Sequence, residues 1–399
     1  LWDQDPVKRP AVDAHCAERL QLLVDGTGEA EEPAGEGALP PEYADAVRAE
    51  EPPAYADAVR GAEPLGPPQQ AFGSVASEAE LAAMGWGDLV AVVERAAGSA
   101  EGEAVAAALR AVTNRIVAVG TQNDAADAGT LEAAMRAMGE HRAHASVQEQ
   151  ACLAIVCICF GSDADGRQRR QRAADAGALE AAVRAMGGHR AEACVQEAAC
   201  WAIASVCFGS DATGLKNKQR AAVTDALEAV VRAMGTHWMH PGVQEQACRA
   251  IAIVCFGIDA AGRQRARWAA DAGALEAAVR AIGGHGAHAV VHFQACMAIR
   301  IICSGSDAAG RQRKQRVAEA GALEAMVRAM GTHGTHAGVQ EQACKAIVNI
   351  CFGSDDTARQ RKQQAARAGA PAAARSALAM HRAGSAASSA ARMLLERLA

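Results

Sequence analysis

The sequence contains one block that returns five times at a fixed step of 48 residues. A leucine opens the block, and two cysteines that are seven residues apart follow it at constant offsets. A fixed period of this length indicates an array of structural repeats rather than one globular domain. The positions are Leu131, Leu179, Leu227, Leu275 and Leu323 for the leucine, Cys152, Cys200, Cys248, Cys296 and Cys344 for the first cysteine, and Cys159, Cys207, Cys255, Cys303 and Cys351 for the second.

Each period predicts three helices and no strand. Leu179, Val183 and Met186 lie at i, i+4 and i+7, which is the spacing of one apolar helical stripe. A longer stripe follows over residues 195–207, and a shorter helix is expected before the leucine, at about 168–176. One period therefore holds a short, a medium and a long helix. A unit of this kind cannot bury its stripe alone, so we predict that neighbouring units stack.

The predicted helices have recognisable ends. Gly177 closes the first helix, because glycine adopts the left-handed conformation that suits the position after a helix. The Ser-Asp pairs at 162–163, 210–211 and 306–307 precede the first helix of the next unit. We predict that these pairs supply N-cap residues, because their side-chain oxygens accept hydrogen bonds from free helical N–H groups.

Three motifs of the period resemble the armadillo repeat family. They are AGAL at 176–179, 272–275 and 320–323, VQEQACxAI at 147–155, 243–251 and 339–347, and GSDxxGRQR at 161–169 and 305–313. The resemblance implies an all-α fold, namely a right-handed α-solenoid of about seven armadillo-like three-helix repeats whose third helices line a concave groove. It also implies non-catalytic binding of a peptide or helix in that groove. The protein is therefore expected to be a scaffold or adaptor and not an enzyme.

Composition divides the chain into two parts. Residues 1–75 are acidic and rich in Pro, Gly and Ala, so we predict a mostly disordered leader. Residues 76–399 are predicted to form the solenoid, with an irregular first repeat at 76–120, regular repeats at about 121–358 and a C-terminal cap at 359–399. Aromatic residues make up 3% of the chain, so we expect a core of aliphatic side chains and cysteine.

Two positions on the third helix vary from repeat to repeat, whereas the packing positions stay constant. They lie four residues apart, on the face opposite the apolar stripe, and we predict that they face the groove. The predicted partner-binding residues are Leu153, Cys157, Trp201, Ser205, Arg249, Ile253, Met297, Ile301, Lys345 and Asn349. Trp201 is the expected anchor, because tryptophan is enriched at the energetic centre of interfaces.

A nuclear transport adaptor of importin-α type is an alternative function. The grooves of that type carry Trp and Asn in the same repeat, and the Asn amide clamps the bound backbone. In this chain Trp201 and Asn349 lie in different repeats. The pattern therefore favours a different peptide or helix as the partner.

The leader contains a duplicated PPxY motif. The first copy comprises Pro40, Pro41 and Tyr43, and the second comprises Pro52, Pro53 and Tyr55. Adjacent prolines favour an extended polyproline helix, and a tyrosine two residues on fits an aromatic slot, as in ligands of WW domains. We predict that the leader recruits a WW-domain protein. The alternative is a Pro/Ala-rich linker duplicated without a partner.

Basic segments also recur at the repeat step, and they leave a further alternative open. They lie at 167–172, 216–220, 263–267, 311–316 and 359–362. Aligned in a stack, they would form a cationic ridge for nucleic acid or another acidic surface. Acidic residues are interleaved with them, and they contain no aromatic residue for base stacking. We therefore favour a solvated helix face and do not expect a nucleic-acid partner.

Neither the cysteines nor the histidines predict a metal site or a catalytic centre. The repeated cysteines lie seven residues apart on one helix face, which favours small buried thiols over a zinc site. An HxxH motif recurs before the third helix, at His141/His144, His237/His240, His285/His288 and His333/His336. We favour polar surface loops over metal binding for these histidines. We therefore predict no metal, no cofactor and no small-molecule substrate.

The sequence also bears on where the protein works. It has no run of 18 apolar residues, so we expect no membrane span. Its thiols favour a reducing compartment, and we predict a cytoplasmic protein, with the nucleus as the alternative. The chain begins with Leu1 rather than Met, and we expect that its true N-terminus is missing.

Overall fold

Helices make up all the regular structure of the described residues. The computed structural model describes residues 81, 84–98 and 101–399, in which there are twenty helices and no strand. The helices are α1 (Trp86–Ala97), α2 (Gly102–Val119), α3 (Gln122–Asp127), α4 (Thr130–Glu140), α5 (Ala145–Ile158), α6 (Ala164–Asp175), α7 (Ala178–Gly188), α8 (Ala193–Val206), α9 (Ala212–Val223), α10 (Ala226–Thr236), α11 (Pro241–Cys255), α12 (Ala260–Asp271), α13 (Ala274–Gly284), α14 (Ala289–Ile302), α15 (Ala308–Glu319), α16 (Ala322–Thr332), α17 (Ala337–Ile350), α18 (Asp356–Arg367), α19 (Ala370–Met380) and α20 (Ala386–Leu398).

The helices form six successive three-helix units, from α3–α5 to α18–α20, and α1 with α2 precedes them. In the unit α6–α8 the three helices have 12, 11 and 14 residues. The prediction of a short first helix at 168–176 is therefore wrong. Helix α6 begins at Ala164 because Asp163 caps it, so the basic segment lies inside the helix.

Aspartates start the first helix of five units. The side chain of Asp163 accepts a hydrogen bond from the N–H of Gly166 at 2.7 Å. The same side-chain cap recurs one repeat step later at each of Asp211, Asp259, Asp307 and Asp355. The predicted capping role of the Ser-Asp pairs is confirmed, with aspartate as the capping residue.

One residue in the left-handed conformation joins the first helix to the second. Gly177 holds this position between α6 and α7 with φ of 88°, which confirms the predicted glycine at that end. Asp225 holds the equivalent position between α9 and α10 with φ of 59°. A side chain in this conformation costs about 1 kcal/mol relative to glycine, so this turn is the strained member of the series.

The third helices hold the stack together. Each of α5, α8, α11, α14 and α17 packs lengthwise against the third helices of both neighbours, whereas the first and second helices touch their counterparts over shorter stretches. The third helices therefore form the main packing layer of the stack. The repeated leucines are all buried between the layers. The predicted all-α solenoid is confirmed.

Candidate functional site

All ten predicted groove residues lie on the third helices α5, α8, α11, α14 and α17. We call the surface that they form, together with the residues one turn before them, the inner face. The half-buried members are Leu153, Trp201, Ser205, Arg249, Ile253 and Lys345. The buried members are Cys157, Met297, Ile301 and Asn349, which expose 2%, 7%, 7% and 8% of their surfaces. The inner face is therefore most open on α8 and α11, where both varying positions are half-buried.

Trp201 occupies the middle of this open region. Its side chain packs against the hydrophobic core while part of it remains exposed. Because α8 lies between α5 and α11, the indole has a third helix on each side. Glu197 precedes Trp201 by one helical turn and Ser205 follows it by one turn. This stripe offers an aromatic ring flanked by polar groups along a single helix face.

A row of glutamates runs along the inner face, one turn before the varying positions. Its members are Glu149 on α5, Glu197 on α8, Glu245 on α11 and Glu341 on α17, and Phe293 takes the place on α14. All four carboxylates are half-buried. We did not single out these residues from the sequence. The sequence did contain a sign of them, because the glutamate of the VQEQ motif recurs at the repeat step.

Burial and mutual repulsion act on the carboxylates of this row. Burial is the main cause that raises the pKa of Glu197 to about 7, and the charges of Glu245 and Glu149 on the neighbouring helices raise it further. Burial also raises the pKa of Glu149 and of Glu245. Like charges on neighbouring helices disfavour ionisation. An added cation would therefore be stabilised next to this row.

The glutamates differ in how far the chain itself balances them. Lys345 Nζ lies 2.7 Å from Glu341 Oε1, and Arg249 opposes the rise in the pKa of Glu245. The basic group beside Glu197 is His240, whose Nδ1 lies 3.7 Å from Glu197 Oε2.

The imidazole of His240 does not offset the negative charge of Glu197. His240 Nδ1 accepts a hydrogen bond from the N–H of Val243, so this nitrogen carries no proton to donate. Burial also lowers the pKa of His240. Glu197, next to Trp201, is therefore the least balanced carboxylate of the row.

Side-chain hydrogen bonds link α14 to α17 at the inner face. Arg300 Nε donates to Gln342 Oε1 at 3.0 Å. Asn349 Nδ2 donates to the carbonyl oxygen of Arg300 at 2.8 Å. The Asn349 amide thus joins two third helices, in addition to lying on the predicted partner-binding face.

Only part of each recurring basic segment forms the solvated face that we predicted, for example at the exposed Arg167, Lys216 and Arg311. Four arginines, each in a first helix, are buried and point back to the end of the preceding third helix. Each donates through Nε to the carbonyl of a third-helix residue eleven positions earlier. These link arginines, as we call them, are Arg169, Arg265, Arg313 and Arg361.

Other basic residues of the same segments also serve the stack. Lys218 Nζ and Lys314 Nζ bond to the carbonyls of Gly209 and Gly305. Arg220 and Arg316 form ion pairs with glutamates of the preceding repeat. Sequence reasoning missed this because a basic side chain gives no sign of its orientation, although the exact recurrence of Arg265, Arg313 and Arg361 was visible.

The histidine loops lie on the surface, as predicted, and they also connect repeats. His189 Nε2 lies 2.8 Å from the carbonyl oxygen of Arg142 in the preceding repeat, and His237 makes the same contact with Arg190. Equivalent bonds are made by His141, His285 and His381. Within the described ranges, no group of three or more His, Cys, Asp or Glu side chains is arranged to hold a metal ion.

The repeated cysteines are buried thiols, as predicted. Burial raises the pKa of Cys152, Cys207 and Cys303 to about 12. A thiol with such a pKa is protonated at neutral pH and packs as a small apolar group. The PPxY residues Pro40, Pro41, Tyr43, Pro52, Pro53 and Tyr55 lie outside the described residues.

Comparison with known families matches one unit of the stack. Residues 311–352, which span most of α15 and all of α16 and α17, match the family model described as Armadillo/beta-catenin-like repeat. No curated protein matches the chain. Of the helices in the described ranges, none is both long and apolar enough to cross a membrane. An armadillo solenoid is typically non-catalytic and suggests a protein-binding scaffold, and the stacked units and the matched repeat together support an armadillo-like repeat protein.

Proposed function

We propose that the inner face binds an extended segment of a partner protein that carries Lys or Arg side chains. The observation that carries this proposal is the pairing of Trp201 with Glu197 on one turn of α8. The indole is half-buried on an open part of the inner face, and Glu197 is a carboxylate whose neighbours on both sides are also carboxylates.

Two forces support a cationic ligand at this place. A cation over an indole ring contributes about 0.5–2 kcal/mol, depending on how far it is desolvated. A charge-assisted hydrogen bond to a half-buried carboxylate is roughly twice as strong as a neutral one. An anionic segment would meet the field of Glu149, Glu197 and Glu245 together, which disfavours it.

The spacing of the row also suits an extended chain. Packed helices lie about 8–10 Å apart, and a segment in the extended polyproline II conformation advances about 3.1 Å per residue with three residues per turn. Basic side chains three residues apart therefore share one face of such a segment and reach successive third helices. Leu153 on α5 and Ile253 on α11 are half-buried, and they supply apolar surface for the residues between them.

The proposal is tested with three fluorescent peptides of equal length that differ in every third residue. One carries Lys, one Gln and one Glu at those positions, with Gly and Ser between them. We expect the full-length protein to bind the Lys peptide at least tenfold more tightly than the Gln peptide, and the Glu peptide most weakly, as measured by fluorescence anisotropy.

The matched variants are Glu197→Gln and Glu192→Gln. Glu192 directly precedes α8, and its side chain is exposed and does not cap the helix, so its change controls for net charge. We expect Glu197→Gln to reduce the preference for Lys over Gln and Glu192→Gln to leave it unchanged. Equal binding of the three peptides, or equal effects of the two variants, would contradict the proposal.

The tandem PPxY motif supports a second, independent proposal. Two copies twelve residues apart suit simultaneous binding of two linked WW domains, which raises affinity through effective concentration. We expect the double change Tyr43→Ala and Tyr55→Ala to abolish binding to a tandem WW protein, and each single change to weaken it strongly. Calorimetric titration of the full-length chain measures this. Unchanged binding by the double variant would leave the leader without this function.

A cytoplasmic location fits both proposals. Ten buried thiols in the core are compatible with a reducing compartment. Localisation of a tagged full-length chain by microscopy tests this.

A further inference from the structure

Most units carry the same pair of side chains around the turn that precedes the third helix. A glutamine near the start of the third helix donates through Nε2 to two carbonyls of the preceding turn. Gln244, for example, bonds to the carbonyls of Met234 and His237, each at 3.0 Å. The histidine of that turn bonds through Nε2 to the preceding repeat. The glutamine bonds recur at Gln148, Gln196 and Gln340.

At the joint between the unit α12–α14 and the unit α15–α17, the first unit lacks the glutamine and the second lacks the histidine bond, although Gln340 of the second unit keeps both of its bonds. His292 stands where the other units have glutamine, and it is 2% exposed with no hydrogen-bond partner for either ring nitrogen. The carbonyl of Ile282, which is equivalent to that of Met234, raises the pKa of His292. It nevertheless forms no hydrogen bond with either ring nitrogen. His333 Nε2 is also buried without a partner, whereas the equivalent atoms of His237 and His285 bond to the preceding repeat.

The rings of His292 and His333 lie against each other across this joint. The centroids of His292 and His333 are 4.7 Å apart, in an edge-on arrangement with an interplanar angle of 78°. A buried polar group without a hydrogen bond costs free energy, and a charge on the buried His292 ring would cost far more. The contact is therefore stable only while His292 is neutral.

We propose that the His292–His333 contact is an acid-sensitive joint that opens when an imidazole takes up a proton. The groups that face His292 are histidines from three positions: His285 in the turn after α13, His288 at the start of α14, and His333 at the end of α16. No carboxylate among these is available to compensate a proton on the ring.

The direction of the pH effect follows from the pKa of His292. Burial, and next the charge of His333, lower this pKa to about 4, whereas an exposed imidazole has a pKa of about 6.5. The opened joint therefore binds more protons than the closed one between these values. The closed state is fully favoured above about pH 6.5 and loses stability as the pH falls toward 4.

The consequence concerns the inner face. The joint separates α14, which carries Met297 and Ile301, from α17, which carries Lys345 and Asn349. Opening it would loosen the segment α15–α20 from the rest of the stack, and with it the far end of the partner-binding face. Because repeats interact with their nearest neighbours, the other joints would stay closed.

Hydrogen exchange of the full-length protein tests this proposal, with rates corrected for intrinsic exchange at each pH. We expect the protection of α14 and α16 to fall about 30-fold between pH 7.5 and pH 5.0, beyond any change in α8 and α10. The variant His292→Gln, which restores the glutamine found at this position in the other units, should remove this extra loss of protection. The reverse variant Gln244→His should create a similar loss at α11.

Either of two hydrogen-exchange results would overturn the proposal. One is the same pH dependence in His292→Gln and in the wild type, and the other is a loss of protection spread evenly over all units. If His292→Gln fails to fold, two measurements still test the proposal. One is the comparison of protection in α14 and α8 of the wild type, and the other is the pH dependence of the Gln244→His variant. A proton-NMR pKa near 6.5 for His292 would also contradict it.

Discussion

The two sides of the solenoid treat charged side chains in opposite ways. At the links between units, the guanidinium of Arg265 is 1% exposed and bonds to the carbonyls of Val254 and Phe256 at 2.7 and 3.0 Å. On the inner face, the carboxylate of Glu197 lies between two other carboxylates. Charge that the chain satisfies itself holds the stack together. A charge that the chain leaves unbalanced on an open face can instead be balanced by a ligand of opposite charge, which contributes to the free energy of binding.

The largest expected effect tests the link side of this comparison. Arg265→Ala leaves two buried carbonyls without a donor, so we expect the free energy of unfolding to fall by about 3 kcal/mol. Arg267→Ala, two residues away, removes an exposed ion pair with Asp307 and should cost at most about 1 kcal/mol. Urea unfolding followed by circular dichroism measures both. Similar losses would mean that the link arginines act only as surface charges.

The next effect tests the inner face. Trp201→Ala should weaken binding of the Lys peptide by about 2 kcal/mol, or roughly 30-fold, because tryptophan anchors contribute most to interfaces. Trp238 is 59% exposed on the turn between α10 and α11, and Trp238→Ala should leave affinity unchanged. The melting temperature of both variants should stay near that of the wild type. A large drop for Trp201→Ala would make this residue part of the core instead.

The pH dependence of peptide binding follows from the pKa of Glu197, about 7. The cationic peptide binds the ionised carboxylate, so affinity should fall as the pH decreases from 8 to 6, by about tenfold. Glu197→Gln cannot ionise and should show a flatter profile. Anisotropy titrations at constant ionic strength measure this. A profile that is the same in the variant would assign the pH dependence to another group.

The smallest effect again concerns the link side. Asp259→Ala removes the side-chain cap of α12, whose Oδ1 accepts from the N–H of Gly262 at 2.9 Å, and should cost about 1 kcal/mol. Asp271 at the other end of the same helix makes a matched control, because a negative charge near a helix C-terminus is unfavourable. Asp271→Ala should therefore not destabilise the protein. Equal losses in thermal unfolding would argue against the cap.

The sequence predicted the scaffold well, but it did not show which charged groups surround the proposed site. The helices of each unit, the buried leucines and cysteines, and the aspartate caps follow from periodicity and local chemistry. The direction of Arg169 and Arg313 does not, because a basic residue on a helix suits solvent as well as it suits a carbonyl one layer away. The glutamate row was equally hidden, since Glu149, Glu197 and Glu245 are far apart in the chain.

The sequence by itself determined the repeating unit, because a 48-residue period with helical apolar spacing permits burial only by stacking. The tertiary structure decided which charges are balanced. Stacking brings residues one period apart into contact, so that Glu197 meets Glu149 and Glu245, and His292 meets His333. Electrostatic energy depends on these distances and on burial, and neither quantity is contained in one copy of the repeat.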